Sequence, residues 1–108
     1  MKRWIWAATL GLAGAASAAE SLQGEALVAA FAARTLVVEG VVMGFRQDGT
    51  LLLEPEGDAA VWGSWRVVGD LLCWQAGGPE ECVTVQVDGV HLWLGGPDGE
   101  REGVYVDL

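Results

Sequence analysis

Few residues of this chain have the reactivity that catalysis needs. His91 is the only imidazole, and Cys73 and Cys82 are the only thiols. Downstream of residue 18 the serines are Ser21 and Ser64. Nucleophilic catalysis requires a nucleophile, a base and a group that orients the base. Trp62-Gly63-Ser64-Trp65 lacks the glycine that a nucleophile elbow places two residues after its serine. A Ser64–His91 relay is the one catalytic arrangement left, against the plainer reading of a strand serine and an exposed histidine. Zinc calls for several His or Cys ligands, and a lone histidine does not supply them. Asp48, Asp88 and Asp98 each precede a glycine, but the alternating acidic spacing of a calcium loop is absent, and turn chemistry accounts for them. Glu54 with Glu56, and Glu80 with Glu81, sit near Pro and Gly, in loops without the deep cleft that a glycosidase pair occupies. Glycine loops of the phosphate-cradling type do not occur. The expectation is a protein with no catalytic residue, no metal site and no cofactor, and not an enzyme.

The cysteines fit a structural use. Their C-x8-C spacing is neither that of a zinc knuckle nor that of a thioredoxin-like C-x-x-C. A Cys73–Cys82 disulfide implies an oxidising compartment, and the first residues point to one. Lys2 and Arg3 form a basic head, an apolar run extends from Trp4 to Ala16, and Ala16-Ser17-Ala18 offers small residues for cleavage. This pattern predicts a secretory signal peptide over 1–18, cut after Ala18 or one residue later, and delivery to the periplasm. The apolar run is shorter than the ~20 residues of a spanning helix, and no Cys follows the cut to carry a lipid anchor.

Cleavage sharpens the charge. Residues 19–108 keep Arg34, Arg46, Arg66 and Arg101, no Lys, and all fifteen carboxylates, a net charge of −11 against −9 for the whole chain. Such a surface repels phosphate backbones, which excludes nucleic acid. It also repels anionic headgroups, so no stable membrane insertion is expected after signal cleavage. A basic protein partner is favoured, beside the bland reading that the charge serves solubility.

Residues 19–108 are enough for one small β-rich domain. Ser21 to Arg34 is Ala-rich and free of Pro, with Leu27, Val28 and Phe31 spaced for one helical face. From Leu36 onward β-branched and aromatic residues are broken every eight to twelve residues by turn signals such as Asp48-Gly49, Gly69-Asp70, Asp88-Gly89 and Asp98-Gly99. These read as an antiparallel meander. A Gly69-Asp70 turn pairs Trp65 with Trp74 and Val67 with Leu72. An Asp88-Gly89 turn pairs Val85 with Leu92 and Val83 with Leu94. Cys73 opposite Cys82 then pairs Leu72 with Val83. One apolar face collects Trp65, Val67, Leu72, Trp74, Val83, Val85, Leu92 and Leu94. Arg66, Cys73, Cys82, Thr84, Gln86, His91 and Trp93 fall on the other. Six or seven such strands should curl into a small barrel or half-barrel with the N-terminal helix plugging an end. A helix packed across an open sheet is the alternative.

On the mixed face Trp93 stands out, near His91 and the disulfide. With Thr84, and with Tyr105 of the last strand, it forms the expected binding patch; an apolar cluster rimmed by acids marks an interaction site. Trp65 and Trp74 are expected in the core.

The order of signals resembles a group of small exported bacterial proteins described as periplasmic domains of unknown function. The likeness runs through Ala29-Ala30-Phe31-Ala32-Ala33-Arg34-Thr35-Leu36 at a helix end, then Gly44-Phe45-Arg46-Gln47-Asp48-Gly49-Thr50. The G-x-W strand Gly63-Ser64-Trp65-Arg66-Val67 follows, then Leu71-Leu72-Cys73-Trp74 and a second Cys. The strand after the helix, Leu36-Val37-Val38, is aliphatic where the group has aromatics, and the Cys spacing is short. The resemblance implies export and a β fold, with no catalytic residue to transfer. The resulting expectation is a non-catalytic binding or envelope accessory domain. Its rivals are an inhibitor of a basic enzyme such as lysozyme and a lipocalin-like carrier of a small apolar ligand, with Trp65 and Trp74 lining the cavity.

Overall fold

The computed structural model describes residues 19–107; the signal segment expected over 1–18 lies outside the described residues. The elements are β1 (Glu20–Ser21), α1 (Gly24–Phe31), β2 (Arg34–Val38), β3 (Val41–Phe45), β4 (Thr50–Pro55), β5 (Val61–Val68), β6 (Leu71–Gln75), β7 (Glu81–Asp88), β8 (His91–Gly96) and β9 (Gly99–Tyr105). Strands β2 to β9 pair each with the next, all antiparallel, and β9 returns to pair with β2. The meander is therefore a closed eight-stranded up-and-down barrel rather than a half-barrel. Two-residue β1 lies against β7 where β6 has ended, with Ser21 opposite Gln86.

Short turns built on glycine drive the meander. Gly69 takes φ +61 and Gly89 φ +65, each as the first residue of a two-residue turn, the position where a II′ hairpin needs it. The Gly69-Asp70 turn pairs Trp65 with Trp74 and Val67 with Leu72 as expected. At the β7–β8 hairpin the turn is Gly89-Val90, not Asp88-Gly89, because glycine rather than aspartate must lead it. Asp88 then faces His91, and Val85 faces Leu94 instead of Leu92. This two-residue slip keeps every side chain on its face but changes its neighbours.

Alternate residues fill the barrel. Leu36, Met43, Phe45, Leu51, Leu72, Val83, Val85, Leu92 and Leu94 are all buried, with Trp65 and Trp74. Eight strands enclose a space that side chains alone can fill. Helix α1 seals one end with Leu27 and Phe31, both fully buried. Phe31 meets Phe45 edge-on at 4.9 Å, and Phe45 meets Trp65 at 5.5 Å. The helix is shorter than Ser21–Arg34. Ser21 is spent on β1, and Ala33 with φ +61 turns the chain so that Arg34 can start β2. At the opposite end inward-directed Arg101 pairs with Glu81 and lies over the Trp74 ring.

Cys73 and Cys82 stand directly opposite each other with Cα atoms 4.0 Å apart and form the expected disulfide. It sits on the outer wall, yet Cys73 is buried. Arg66, the cross-strand neighbour of Cys73, donates two hydrogen bonds of 2.9 Å to Glu80 beside the sulfurs. Replacing both cysteines by alanine should lower the unfolding free energy by about 2–3 kcal/mol, measured by denaturant titration, with no further effect of reductant on the variant.

The helix plug has its own anchor. Tyr105 is buried against Phe31 and donates its hydroxyl to the Ala30 carbonyl at 2.7 Å. Burial accordingly pushes its phenol above the ordinary range, with the Arg34 cation opposing and Asp107 adding to the rise. Tyr105→Phe should cost about 1 kcal/mol in the same titration, with the barrel's near-ultraviolet signature kept.

Candidate functional site

Three of the four expected patch residues share the outer wall. His91 is exposed, Trp93 half-buried and Thr84 exposed. They are less close-knit than expected. The register slip places Trp93 opposite Gln86, not beside the disulfide, and Thr84 opposite Gly95, whose carbonyl accepts the Thr84 hydroxyl at 3.3 Å. Tyr105 does not belong to the patch. It points into the barrel because Leu36, its cross-strand partner, does.

The wall beside His91 carries a different site. Reading across β4, β3, β2, β9, β8 and β7, the outward residues of one row are Glu54, Val42, Val37, Val104, His91 and Asp88. Three half-buried valines thus lie side by side, with Glu54 next to Val42 and His91 next to Val104. The adjacent row runs from Thr35 through Gly44 and Leu52 to Trp62. Trp62 is 59% exposed and Val106, whose amide donates to the Thr35 carbonyl, 52%. An open depression of about 310 Å³ is lined by Val37, His91, Glu102, Gly103 and Val104. Glu102 reaches within 3.5 Å of His91 Nδ1.

The opposite wall is mostly polar, with Ser64, Arg66, Gln75, Thr84 and Gln86 exposed on β5, β6 and β7 and Val68 exposed at the end of β5. The barrel is therefore amphipathic around its circumference. Sequence reading missed the valine row because Leu36-Val37-Val38 and Val41-Val42-Met43 are apolar on both sides. Such runs signal burial on both faces, and that unbroken apolarity was the available clue.

Ser64 on β5 and His91 on β8 have two strands between them and also lie about eight residues apart along the strands, a separation of more than about 20 Å at ordinary strand dimensions. Cys73, Glu80 and Cys82 bring ligand atoms within 4.8 Å of one another, but the sulfurs are bonded to each other and Glu80 is held by Arg66. No protein-family model, curated protein or solved structure matches this chain.

Charge pairing lies mostly away from the valine row. Arg34 stacks on the Tyr105 ring at 4.0 Å and bonds Asp107 at 3.2 Å, and the Thr35 amide donates to the same carboxylate at 2.7 Å. Burial raises the Asp107 carboxyl, but the Thr35 amide and Arg34 outweigh it and hold it below 3.8. Hydrogen bonds from Thr50 lower Asp48, and Arg66 lowers Glu80. All three are depressed in the folded state, so their stabilisation is complete above the unfolded values near 4. It is lost as pH falls through the lower folded values. Melting temperature should hold steady from neutrality to about pH 5 and then fall; Asp107→Asn should flatten part of that fall.

Proposed function

We propose that the protein is an exported, non-catalytic binding domain of the cell envelope, acting through the outer wall of β3, β2, β9 and β8. The observation that carries this reading is the valine row Val42–Val37–Val104, left partly open to solvent and bounded by Glu54 and Glu102. A disulfide supports an oxidising destination, and the periplasm is the compartment proposed, reached through a cleaved signal over 1–18. The likeness to small exported domains of unknown function points the same way.

Most large apolar side chains turn inward, and away from the valine row the outer wall carries Arg66, Thr84, Gln86 and Glu102. That is the inverse of a membrane-spanning barrel, whose apolar band faces lipid, and it supports a protein free of the bilayer. No helix among the described residues is long and apolar enough to cross a membrane. A lipocalin-like carrier has less support, because Leu27 and Phe31 occupy the barrel end where a ligand would enter. The carboxylates flanking the row favour a second reading, inhibition of a basic enzyme, over the same face.

One experiment addresses both. Immobilised protein and its Val37→Asp variant, matched in near-ultraviolet circular dichroism, are exposed to envelope extract and separately to lysozyme. A species retained by the protein and lost from the variant is the expected result. Equal retention by both, or none by either at low salt, overturns the assignment. Lysozyme captured in a salt-sensitive, Val37-dependent way would select the inhibitor reading.

A further inference from the structure

The apolar row and its charges define a partner class. Resting on the binding role above, we propose that this wall docks a cationic amphipathic helix presented by a protein partner. Strands β2, β3, β8 and β9 are each paired on both sides, so the wall offers no free backbone edge for an added strand. Recognition here has to run through side chains. Val42, Val37 and Val104 occupy three adjacent strands, a span of about 10 Å at ordinary strand spacing. Residues i, i+4 and i+7 of a helix cover about 10.5 Å, so a two-turn apolar stripe matches the row. Gly44 lies between Thr35 and Leu52 in the next row and leaves a gap there, since a Cβ at Gly44 would meet nothing closer than the Leu52 carbonyl at 4.0 Å. A large apolar side chain of the helix fits that gap, with Leu52 beside it.

Charge sets the sign of the partner. Glu54 lies one strand beyond Val42, and at the other end Glu102 stands on β9, the strand of Val104, and lines the depression beside it. Among the described residues Glu54 is not ion-paired, and Glu102 meets only His91. Arg34 is engaged by Asp107, and Arg46 lies over Trp62. A lysine or arginine one turn before the apolar stripe would meet Glu54, and one beside its far end would meet Glu102. An anionic lipid surface would meet the same carboxylates and be repelled, and so would a second copy with its own excess of acids.

The test uses two labelled synthetic helices with the same leucine stripe, one with lysine and one with glutamate on the polar face. Each is titrated by fluorescence anisotropy against the protein and against a Val37→Thr/Val104→Thr variant, whose substitutions keep β-branching on an outer wall. The lysine helix should bind the protein, bind the variant roughly tenfold more weakly, and lose part of its salt sensitivity in Glu54→Gln/Glu102→Gln. The glutamate helix should not bind. Equal affinity of the lysine helix for protein and variant would mean unspecific charge attraction and overturn the proposal. Valine-dependent binding of the glutamate helix would overturn the cationic assignment while leaving the binding face intact. If neither helix binds, the helix proposal fails and the extract experiment judges the binding role separately. Association with phosphatidylglycerol vesicles, or a concentration-dependent dimer in sedimentation, would assign the wall to those occupants instead.

Discussion

The pairing of β2 with β9 is the interaction on which the molecule depends. Leu36 meets Tyr105, Val37 meets Val104 and Val38 meets Gly103, joining strands from opposite ends of the chain. Gly103 makes the approach feasible: a Cβ there would stand 2.8 Å from Val38 Cγ2 and 3.2 Å from the Val37 carbonyl. Once the ladder closes, the sheet has no long open edge, and unpaired strand edges invite association with other chains. Closure also divides every strand into an inner and an outer side. The inner side must be filled by the chain's own residues, which is why α1 turns Leu27 and Phe31 into the open end and why Arg101 and Glu81 close the other. With the interior occupied, recognition is left to the wall.

That wall is divided unequally. Over β5, β6 and β7 it is mostly polar and braced by the disulfide under the Arg66–Glu80 pair. Over β9, β2, β3 and β4 it is apolar, edged by carboxylates. The chain spends three of its four arginines after residue 18 on structure: Arg34 with Asp107, Arg66 with Glu80 and Arg101 with Glu81. The remaining carboxylates face solvent with few cations to offset them. A strongly negative protein with an apolar flank repels itself and anionic surfaces, and it attracts cationic, apolar-faced partners over the same surface.

Much of the fold was legible because antiparallel hairpins are local. Trp65 opposite Trp74, Leu72 opposite Val83 and Cys73 opposite Cys82 follow from one glycine-led turn and one disulfide. The Asp88-Gly89 reading failed for an equally local reason: shifting a two-residue turn by one position moves the ladder by two. Inner and outer sides survive that error, so the core was right while Trp93 was given the wrong neighbour. Tyr105 is turned inward twice over: the β8–β9 hairpin sets Gly103, two residues before it, opposite inward Leu92, and the closing ladder sets Tyr105 itself opposite Leu36.

The amino-acid sequence by itself determined the strand succession, the inward set of side chains, the disulfide and the excess of carboxylates. Each rests on composition, or on contacts within a hairpin. Tertiary structure alone decided closure and the valine row. Val42 and Val37 are neighbours across a turn, but Val104 joins them only when the last strand returns to the first. Runs apolar on both sides cannot reveal which half remains outside, because that depends on which strands end up beside them. A barrel wall becomes a surface only after its ends have met.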